Sequence, residues 1–326
     1  MDMRLALYRL AAAHRLDAEA TRRLEHLAGL HDAPAALAPR LQRGVAVLGA
    51  ALVGLGLVFW VAAHWDTLGR FGRFALIEGV VLAMCAGALW RPAARAPLGL
   101  LALLAIGGLF AHFGQTYQTG ADAWQLFALW AALALPLCLG VRSDVLWAPW
   151  ALVVLTALSL WVQAHTGHRW RVEPDDLWVH LAGWGGAWAV VGALDARWRP
   201  VTGAGVWSQR TALTLAVGVV TLTALGGLFH EHVGTHYPLG LAVLAAAAAW
   251  QASARGFDLY GLSAAALAID GLLVAGLTRA LFDRHDGRDP IGTLLLLGLA
   301  AAALLAATVA FVLRRARAQR AMEGRT

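Results

Sequence analysis

The chain contains no lysine, and this absence removes several kinds of chemistry at once. All 26 basic residues among the 326 are arginine. A P-loop lysine, a Schiff base with pyridoxal phosphate and a retinal attachment site are therefore excluded. Charged residues of both signs are also scarce, at 14% of the chain, against roughly a quarter in an ordinary soluble domain. Since soluble folds need a charged exterior, the composition predicts a membrane protein.

The familiar motifs of soluble enzymes are missing as well. The chain has no Gly-x-Ser-x-Gly elbow, no His-Glu-x-x-His pair, no Cys-x-x-Cys and no strand-flanked Gly-x-Gly-x-x-Gly. Its two cysteines, Cys85 and Cys138, both fall inside apolar runs, so no disulfide is expected. The sequence therefore predicts no cofactor and does not favour an enzyme.

Apolar runs are what the sequence has in quantity. Ten of them, bounded by charge, glycine or proline, are candidate membrane helices: 44–63, 74–90, 97–113, 125–141, 145–162, 177–194, 211–229, 238–252, 259–278 and 291–313. The weakest is 238–252, which is short and rich in alanine. The sequence thus predicts an all-α integral membrane protein of about ten transmembrane helices.

The arginines predict how these helices are oriented. With ten spans, 19 arginines fall on the side of the N-terminus and seven on the other, whereas without 238–252 the split is 16 to 10. Because short cytoplasmic loops carry the excess of positive charge, the ten-span arrangement predicts a bacterial inner-membrane protein with both termini cytoplasmic. The net charge of +6 is then a topology signal rather than the footprint of a nucleic acid, and the bilayer is the expected partner.

Three short patterns occur twice, in the same order and four spans apart. They are residues 60–64 and 161–165 (Trp-Val-x-Ala-His), 90–92 and 198–200 (Trp-Arg-Pro), and 107–120 and 226–240 (Gly-Gly-Leu-Phe, then His-x-Gly-x-x-Tyr-x-x-Gly). The recurrence predicts a duplicated four-helix unit in a parallel repeat. The alternative is that interfacial Trp, His and Arg recur at span ends by chance.

The repeat divides the chain into five segments. These are a cytoplasmic amphipathic helical segment (1–43), the first four-helix repeat (44–141), the second (145–252), two C-terminal helices (259–313) and a basic cytoplasmic tail (314–326). Residues 1–43 read as a helical hairpin with Asp17 as an N-cap, ended by Pro34 and Pro39 before the first span. Such a hairpin either packs on the membrane face or docks a cytoplasmic partner.

The repeat also predicts where ligands bind, because it places polar residues at the non-cytoplasmic ends of the spans. The candidate ligand-binding residues are His64, Trp65, Asp66, His112, Gln115, Tyr117, Asp122, His165, His232 and Tyr237. They favour a site for a small polar solute or a lipid headgroup; the alternative is a set of helix-hairpin turns with an aromatic belt. His230, His232 and His236 are weak candidates for a metal site, but their spacing matches no template, so no metal is predicted.

Asp270 lies near the middle of the apolar run 259–278. A carboxylate at that depth costs about 2.5–3.5 kcal/mol on insertion scales, so it is expected to face the helix bundle. Two roles stay open for it. One is proton or ion coupling, and the other is a buried hydrogen bond between helices.

Two stretches of the first half resemble a known family. They are residues 57–66 (Leu-Val-Phe-Trp-Val-Ala-Ala-His-Trp-Asp, followed by Arg73) and 114–122 (Gly-Gln-Thr-Tyr-Gln-Thr-Gly-Ala-Asp). With the amphipathic start at 14–20, they are similar to the bacterial polytopic membrane proteins of the domain-of-unknown-function family numbered 2157. The resemblance covers residues from about 5 to 155, and His64 stands where the family pattern has Asn. It implies a membrane class and no mechanism.

The sequence therefore leads to three hypotheses on function. The first is small-solute transport or sensing through a periplasm-facing site. The second is a membrane-embedded envelope enzyme that modifies a lipid, with His and Asp as acid–base groups. The third is a membrane scaffold that recruits a cytoplasmic partner through residues 1–43.

Overall fold

The computed structural model describes residues 3–28, 37–64, 69–117, 120, 122–167, 171–230, 232–253, 256–284 and 290–323. Regular secondary structure in these ranges is entirely helical. The helices are α1 (Met3–Ala13), α2 (Ala18–Leu27), α3 (Leu37–Ala63), α4 (Arg70–Trp90), α5 (Arg95–Tyr117), α6 (Ala123–Val141), α7 (Asp144–Thr166), α8 (Leu177–Ala193), α9 (Arg199–Thr202), α10 (Val206–Leu228), α11 (His236–Gln251), α12 (Leu259–Arg284) and α13 (Pro290–Glu323). Short 3-10 turns occupy Pro92–Ala94, Pro174–Asp176 and Ala196–Trp198.

Each of the ten predicted runs coincides with one long helix, but not all of these helices qualify as membrane spans. Among the described residues, eight are long and apolar enough to cross a bilayer, or nine if the bent pair of Pro174–Ala193 and Ala196–Thr202 is one span. The run 238–252 forms α11, of 16 residues. Such a helix is about 24 Å long and falls short of the hydrocarbon core of about 30 Å. The all-helical membrane fold is confirmed, with eight or nine candidate spans.

The chain divides into two compact units, residues 1–52 and 53–326, with the boundary inside α3. In the first unit, α1 and α2 form the expected pair of helices, and Asp17 Oδ1 accepts a hydrogen bond from the backbone N–H of Ala20 at 2.7 Å. The interpretation of Pro39 as a helix breaker is wrong, because α3 begins at Leu37 and holds Pro39 in its first turn. Proline is tolerated there because the first N–H groups of a helix have no partner within it. Pro34 lies outside the described residues.

The core of the second unit is built around α10, which packs against α7, α8, α11 and α12. Small residues make this possible: Ala212, Ala216 and Ala224 on α10 are completely buried. A Cβ added at Gly240 of α11 would lie only 2.6 Å from the Cβ of Ala224. Small residues at such positions let helix backbones approach closely, as in membrane helix packing generally.

Asp144, the first residue of α7, fixes where α10 begins. Its Oδ1 accepts hydrogen bonds from the backbone N–H groups of Gly205 and Ser208, and its Oδ2 accepts one from Trp207, all at 2.9 Å. A Cβ at Gly205 would lie 2.4 Å from Oδ2 of Asp144, so this approach requires glycine. A carboxylate satisfies the unpaired amides of a helix N-terminus and favours its positive dipole end.

The predicted boundary between the last span and a basic tail is not a structural break. The helix α13 continues without interruption from Pro290 to Glu323, so the four arginines from Arg314 to Arg320 lie on its last turns. The guanidinium of Arg315 lies over the ring of Phe311, 5.6 Å from its centroid. The tail is therefore helical as far as Glu323.

Candidate ligand-binding site

An apolar cavity lies between α3, α4 and α5 in the second unit. Its volume is about 360 Å³, within the range of about 300–1,000 Å³ that is common for small-molecule sites. Of its 15 lining residues, 13 are apolar or glycine, among them Leu57, Ile77 and Met84. The other two are His112 and Gln115. The cavity is therefore suited to an apolar group that carries a polar end.

Both polar lining residues belong to the last two turns of α5. His112 is only 3% exposed, and its ring lies 4.5 Å from that of Phe74 on α4, between centroids. The hydroxyl of Thr116, one turn further along α5, lies 3.2 Å from Nδ1 of His112. Gln115 is exposed. These residues thus place an imidazole inside the cavity and an amide at its rim.

Tyr117, the last residue of α5, extends the aromatic surroundings of His112 without lining the cavity. Its ring lies 6.0 Å from that of Phe74 and 4.8 Å from that of Phe113, between centroids. Phe74 therefore contacts both the buried imidazole and the exposed tyrosine ring. Of the candidate residues predicted in the first half, the structure brings His112, Gln115 and Tyr117 together at one end of α5.

The two glycines of the Gly107-Gly108 pair face different neighbours. A Cβ at Gly107 would lie 2.4 Å from the ring of Trp130, whose Nε1–H donates to the carbonyl of Leu103 at 2.9 Å. Gly107 therefore seats α6 against α5. A Cβ at Gly108 would meet only Cγ2 of Val58, at 3.8 Å. The lack of a side chain at Gly108 leaves open space, and that space is part of the cavity.

The Trp-Val-x-Ala-His ends have the same local geometry in both halves. Nδ1 of His64 lies 3.0 Å from the carbonyl oxygen of Trp60, and the rings lie 4.6 Å apart. Nδ1 of His165 lies 2.8 Å from the carbonyl oxygen of Trp161, again with rings 4.6 Å apart. Both histidines are exposed. This geometry follows from the i, i+4 spacing on a helix. Trp65 and Asp66 lie outside the described residues.

The two His-x-Gly-x-x-Tyr copies, which the repeat predicts to be equivalent, have different structures. In the first copy His112, Gly114 and Tyr117 are all helical, on α5. In the second copy His232 is exposed in the turn between α10 and α11, whereas Tyr237 lies on α11. The two copies are therefore not structurally equivalent, and the second has one inserted residue between the glycine pair and the histidine.

The side chain of Tyr237 makes a contact between α11 and α12. Its hydroxyl donates to the carbonyl of Leu272 on α12 at 3.0 Å, and a Cβ at Gly276 would lie 2.3 Å from that hydroxyl oxygen. The cavity beside His112 is lined by α3, α4 and α5 alone. The predicted cluster that combines His112 with Tyr237 is therefore not formed at this cavity.

A buried histidine pair in the second half was not anticipated. His236, the first residue of α11, is completely buried, and its ring meets that of His180 on α8 edge to face, 4.9 Å between centroids. Neither ring nitrogen of His236 has a hydrogen-bond partner among the described residues. His236 lies outside the candidate spans, and burial together with the neighbouring His180 lowers its pKa to about 4. Nothing in the sequence links two histidines 56 positions apart.

The three histidines considered for a metal do not converge. Nε2 of His230 lies 2.9 Å from a carboxylate oxygen of Glu173, and the guanidinium of Arg279 donates to the backbone carbonyl of His230 at 2.6 Å. His232 is exposed, while His236 packs against His180. In the ranges that the structure describes, no group of three metal-ligating side chains is close enough to hold an ion. Glu173 is half-buried where it meets His230.

Asp270 is buried, at 7% exposure, and faces α13. The hydroxyl of Thr308 donates to its Oδ1 at 2.9 Å. Its other carboxyl oxygen, Oδ2, is buried and has no hydrogen-bond partner among the described residues. The hydrogen bond between helices that the sequence left open is therefore present. Asp122, by contrast, is exposed. It is the N-cap residue of α6, but its side chain makes no capping hydrogen bond.

Comparisons with known proteins add one finding on identity. No curated protein and no solved structure matches the chain. Residues 8–147, which include α4, α5 and the cavity beside His112, do match the model of a protein family. That family is described as "Predicted membrane protein (DUF2157)", so the resemblance to family 2157 is confirmed for this part of the chain.

Proposed function

We propose that this protein binds an amphipathic, lipid-like molecule in the cavity between α3, α4 and α5 and acts as a membrane sensor or carrier for it. One observation carries the proposal: an apolar cavity of about 360 Å³ that meets an imidazole and an amide at the same end. The apolar wall would hold a hydrocarbon chain. His112 and Gln115 would hydrogen-bond the polar end of the ligand.

The lining favours an amphiphile over a small polar solute. Binding sites fix a ligand through a few placed polar groups, and the rest of the surface supplies apolar contact. A fully polar solute would lose its hydration against the side chains of Leu57, Ile77 and Met84 and regain only two hydrogen-bonding partners there. Burying polar groups without partners costs free energy, so such a solute is disfavoured.

We further propose that the chain crosses a bacterial inner membrane ten times, with both termini cytoplasmic. The arrangement requires α8 and the run 238–252 to cross despite the bend of the former and the shortness of the latter. It is supported by the 19-to-7 division of the arginines. The polar end of the cavity would then face the periplasm, and the parallel repeat of four helices would relate α3–α6 to α7, α8, α10 and α11.

The proposal is tested by filling the cavity. Gly108→Leu places a side chain into the open space beside Val58, whereas Gly79→Leu is the matched control on an exposed position with no atom nearby. The probe is a fluorescently labelled twelve-carbon fatty acid, titrated into the purified protein in nanodiscs. Since overpacking costs about 1–3 kcal/mol, Gly108→Leu is expected to weaken binding about tenfold or more.

The outcome for the control decides the interpretation. Gly79→Leu is expected to bind the probe like the unmodified protein, and His112→Gln is expected to bind it several-fold more weakly. Equal affinity in all three variants would show that the probe binds elsewhere. Uptake of the probe into proteoliposomes distinguishes a carrier, which transfers it across the bilayer, from a sensor, which only binds it.

A second candidate function is that of a carrier driven by protons, and Asp270 is the residue that supports it. Its Oδ2 has no hydrogen-bond partner among the described residues although it is buried, and such carboxyl groups often take part in proton transfer within membranes. In this version Asp270→Asn keeps the bond with Thr308 but removes the ionisable group. Uptake that still responds to an imposed pH gradient in Asp270→Asn would refute it.

A further inference from the structure

A second cavity, with arginines in its lining, lies in the second half of the chain, between α8, α10 and α11. Its volume is about 940 Å³. It is lined by α8, the turn that leads into α10, α10 itself, α11 and residues 256–258. Three of its lining residues are Arg197, Arg199 and Arg210, and two are Asp195 and Asp258. From the sequence, these arginines served only to predict which side of the membrane is cytoplasmic.

Both carboxylates of the cavity accept hydrogen bonds from backbone N–H groups. Asp195 accepts a hydrogen bond from the N–H of Arg197 at 3.0 Å. Asp258 accepts from the N–H of Gly261 at 3.0 Å and from that of Tyr260 at 3.3 Å, at the start of α12. These carboxylates therefore cap turns. Asp195 Oδ1 also lies 3.9 Å from Nε of Arg197.

Several buried donors of the cavity have no acceptor among the described residues. They are Nε of Arg199, Nε of Arg210 and the indole Nε1 of Trp188. The guanidinium of Arg199 makes one hydrogen bond, from Nη2 to Gln209 at 3.3 Å. That of Arg210 lies over the ring of Tyr260, 5.0 Å from its centroid. Buried donors without acceptors are costly, about 1–3 kcal/mol each, so this set of three is complementary to a ligand with several oxygens.

The rest of the lining is apolar. Val191 of α8 and Val243, Ala246 and Ala247 of α11 form a wall that continues from the arginines along the helices. The cavity therefore has an arginine-rich end at the turns and a hydrocarbon-like side within the helical bundle. Basic pockets between membrane helices, next to the cytoplasmic face, are typical sites for anionic lipid headgroups.

We propose that this cavity binds an anionic phosphate group, and that Arg199, Arg210 and Trp188 donate hydrogen bonds to its oxygens. Guanidinium groups match phosphate in geometry and stay charged. The phosphate belongs either to the headgroup of an anionic phospholipid, whose chains cover the apolar wall, or to a free phosphate ion. The site is separate from the cavity beside His112, so it does not depend on the function proposed there.

The experiment measures binding of three probes to the purified full chain in detergent. The probes are dioctanoyl phosphatidylglycerol, dioctanoyl phosphatidylcholine, whose choline offsets the phosphate charge, and inorganic phosphate. The variants are Arg199→Gln and Arg210→Gln. The matched control is Arg91→Gln, because Arg91 is the arginine of the other Trp-Arg-Pro corner, is exposed and does not line this cavity.

Phosphatidylglycerol is expected to bind, phosphatidylcholine to bind more weakly, and each of the two cavity variants to lose about tenfold or more in affinity for phosphatidylglycerol. Arg91→Gln is expected to bind like the unmodified protein. Binding of phosphatidylglycerol alone identifies a lipid headgroup as the source. Binding of inorganic phosphate as well, with the same loss in both variants, identifies the phosphate group itself as sufficient.

Three results would overturn the proposal: no binding of either anionic probe, undiminished binding in Arg199→Gln and Arg210→Gln, or an equal loss in Arg91→Gln. Thermal unfolding checks that each variant is folded. If a glutamine variant does not fold, Arg199→Lys replaces it, because lysine keeps the charge and lacks the Nε donor. Full affinity in Arg199→Lys would contradict the role given to Arg199.

Discussion

Replacing Asp144 by alanine removes a carboxylate that holds the start of α10 in place. In the unmodified protein this carboxylate accepts three backbone hydrogen bonds at 2.9 Å, from Gly205, Trp207 and Ser208. Without it, three amides at a helix N-terminus lose their acceptor, and the positive end of the helix dipole loses a negative charge. We expect Asp144→Ala to lower the free energy of unfolding.

The expected loss in the free energy of unfolding is the sum of two contributions. Losing an N-cap costs about 0.5–2 kcal/mol, and losing a charge at the helix terminus costs about 0.3–2 kcal/mol. Because the carboxylate serves three amides and is partly buried, the total should lie near the upper end, at about 2–4 kcal/mol. Asp144→Asn keeps one acceptor oxygen and should lose about half as much.

The assay is reversible unfolding by SDS in mixed micelles, followed by tryptophan fluorescence, for which the chain provides 15 tryptophans. Asp122→Ala is the matched control, because Asp122 also precedes a membrane helix but makes no side-chain capping bond. A control loss below about 0.5 kcal/mol is expected for a surface substitution. Equal losses at the two positions would refute the claim that Asp144 anchors α10.

Two further predictions concern buried polar groups. Thr308→Val and Asp270→Ala should each destabilise the packing of α13 on α12, and a double-mutant cycle in the same assay should give a coupling of about 0.6–1.7 kcal/mol; additive losses would contradict the hydrogen bond. The pKa of His236 is lowered to about 4 from its usual 6.5, so the unfolded chain binds the proton more readily than the native protein does. Stability is therefore complete above about pH 6.5 and falls by up to about 3 kcal/mol as the pH drops towards 4. His236→Leu should remove most of this dependence in unfolding curves at several pH values, and an unchanged pH profile would disprove it.

Local features of the fold could be predicted from the sequence because their causes are local. Apolar runs marked the ten long helices to within a few residues at most ends, and Asp17 followed by a helical pattern predicted an N-cap that the structure contains. The buried position of Asp270 followed from the cost of exposing a carboxylate to lipid. The start of α3 could not be placed correctly, because Pro39 breaks a helix interior yet fits a first turn.

The candidate site was predicted only in part, because it depends on which helices meet. The repeated motif treated His112 and His232 as equivalent, but the first lines a cavity and the second is exposed in a turn. A motif specifies residue types and spacing. Whether a side chain points into a cavity depends on the neighbouring helices. In addition, α10 ends at Leu228, before His232, whereas α5 continues past His112 to Tyr117.

What the sequence determined by itself is the environment of this protein: a chain with no lysine, few charges and long apolar runs must place its helices in a membrane, since no soluble exterior can be built from it. The tertiary structure decided where chemistry is possible. It brought His112 and Gln115 to one apolar cavity, joined His180 to His236, and gathered three arginines at a second cavity. The physical reason is that hydropathy is a property of each segment, whereas a binding site is a property of contacts between segments far apart in the chain.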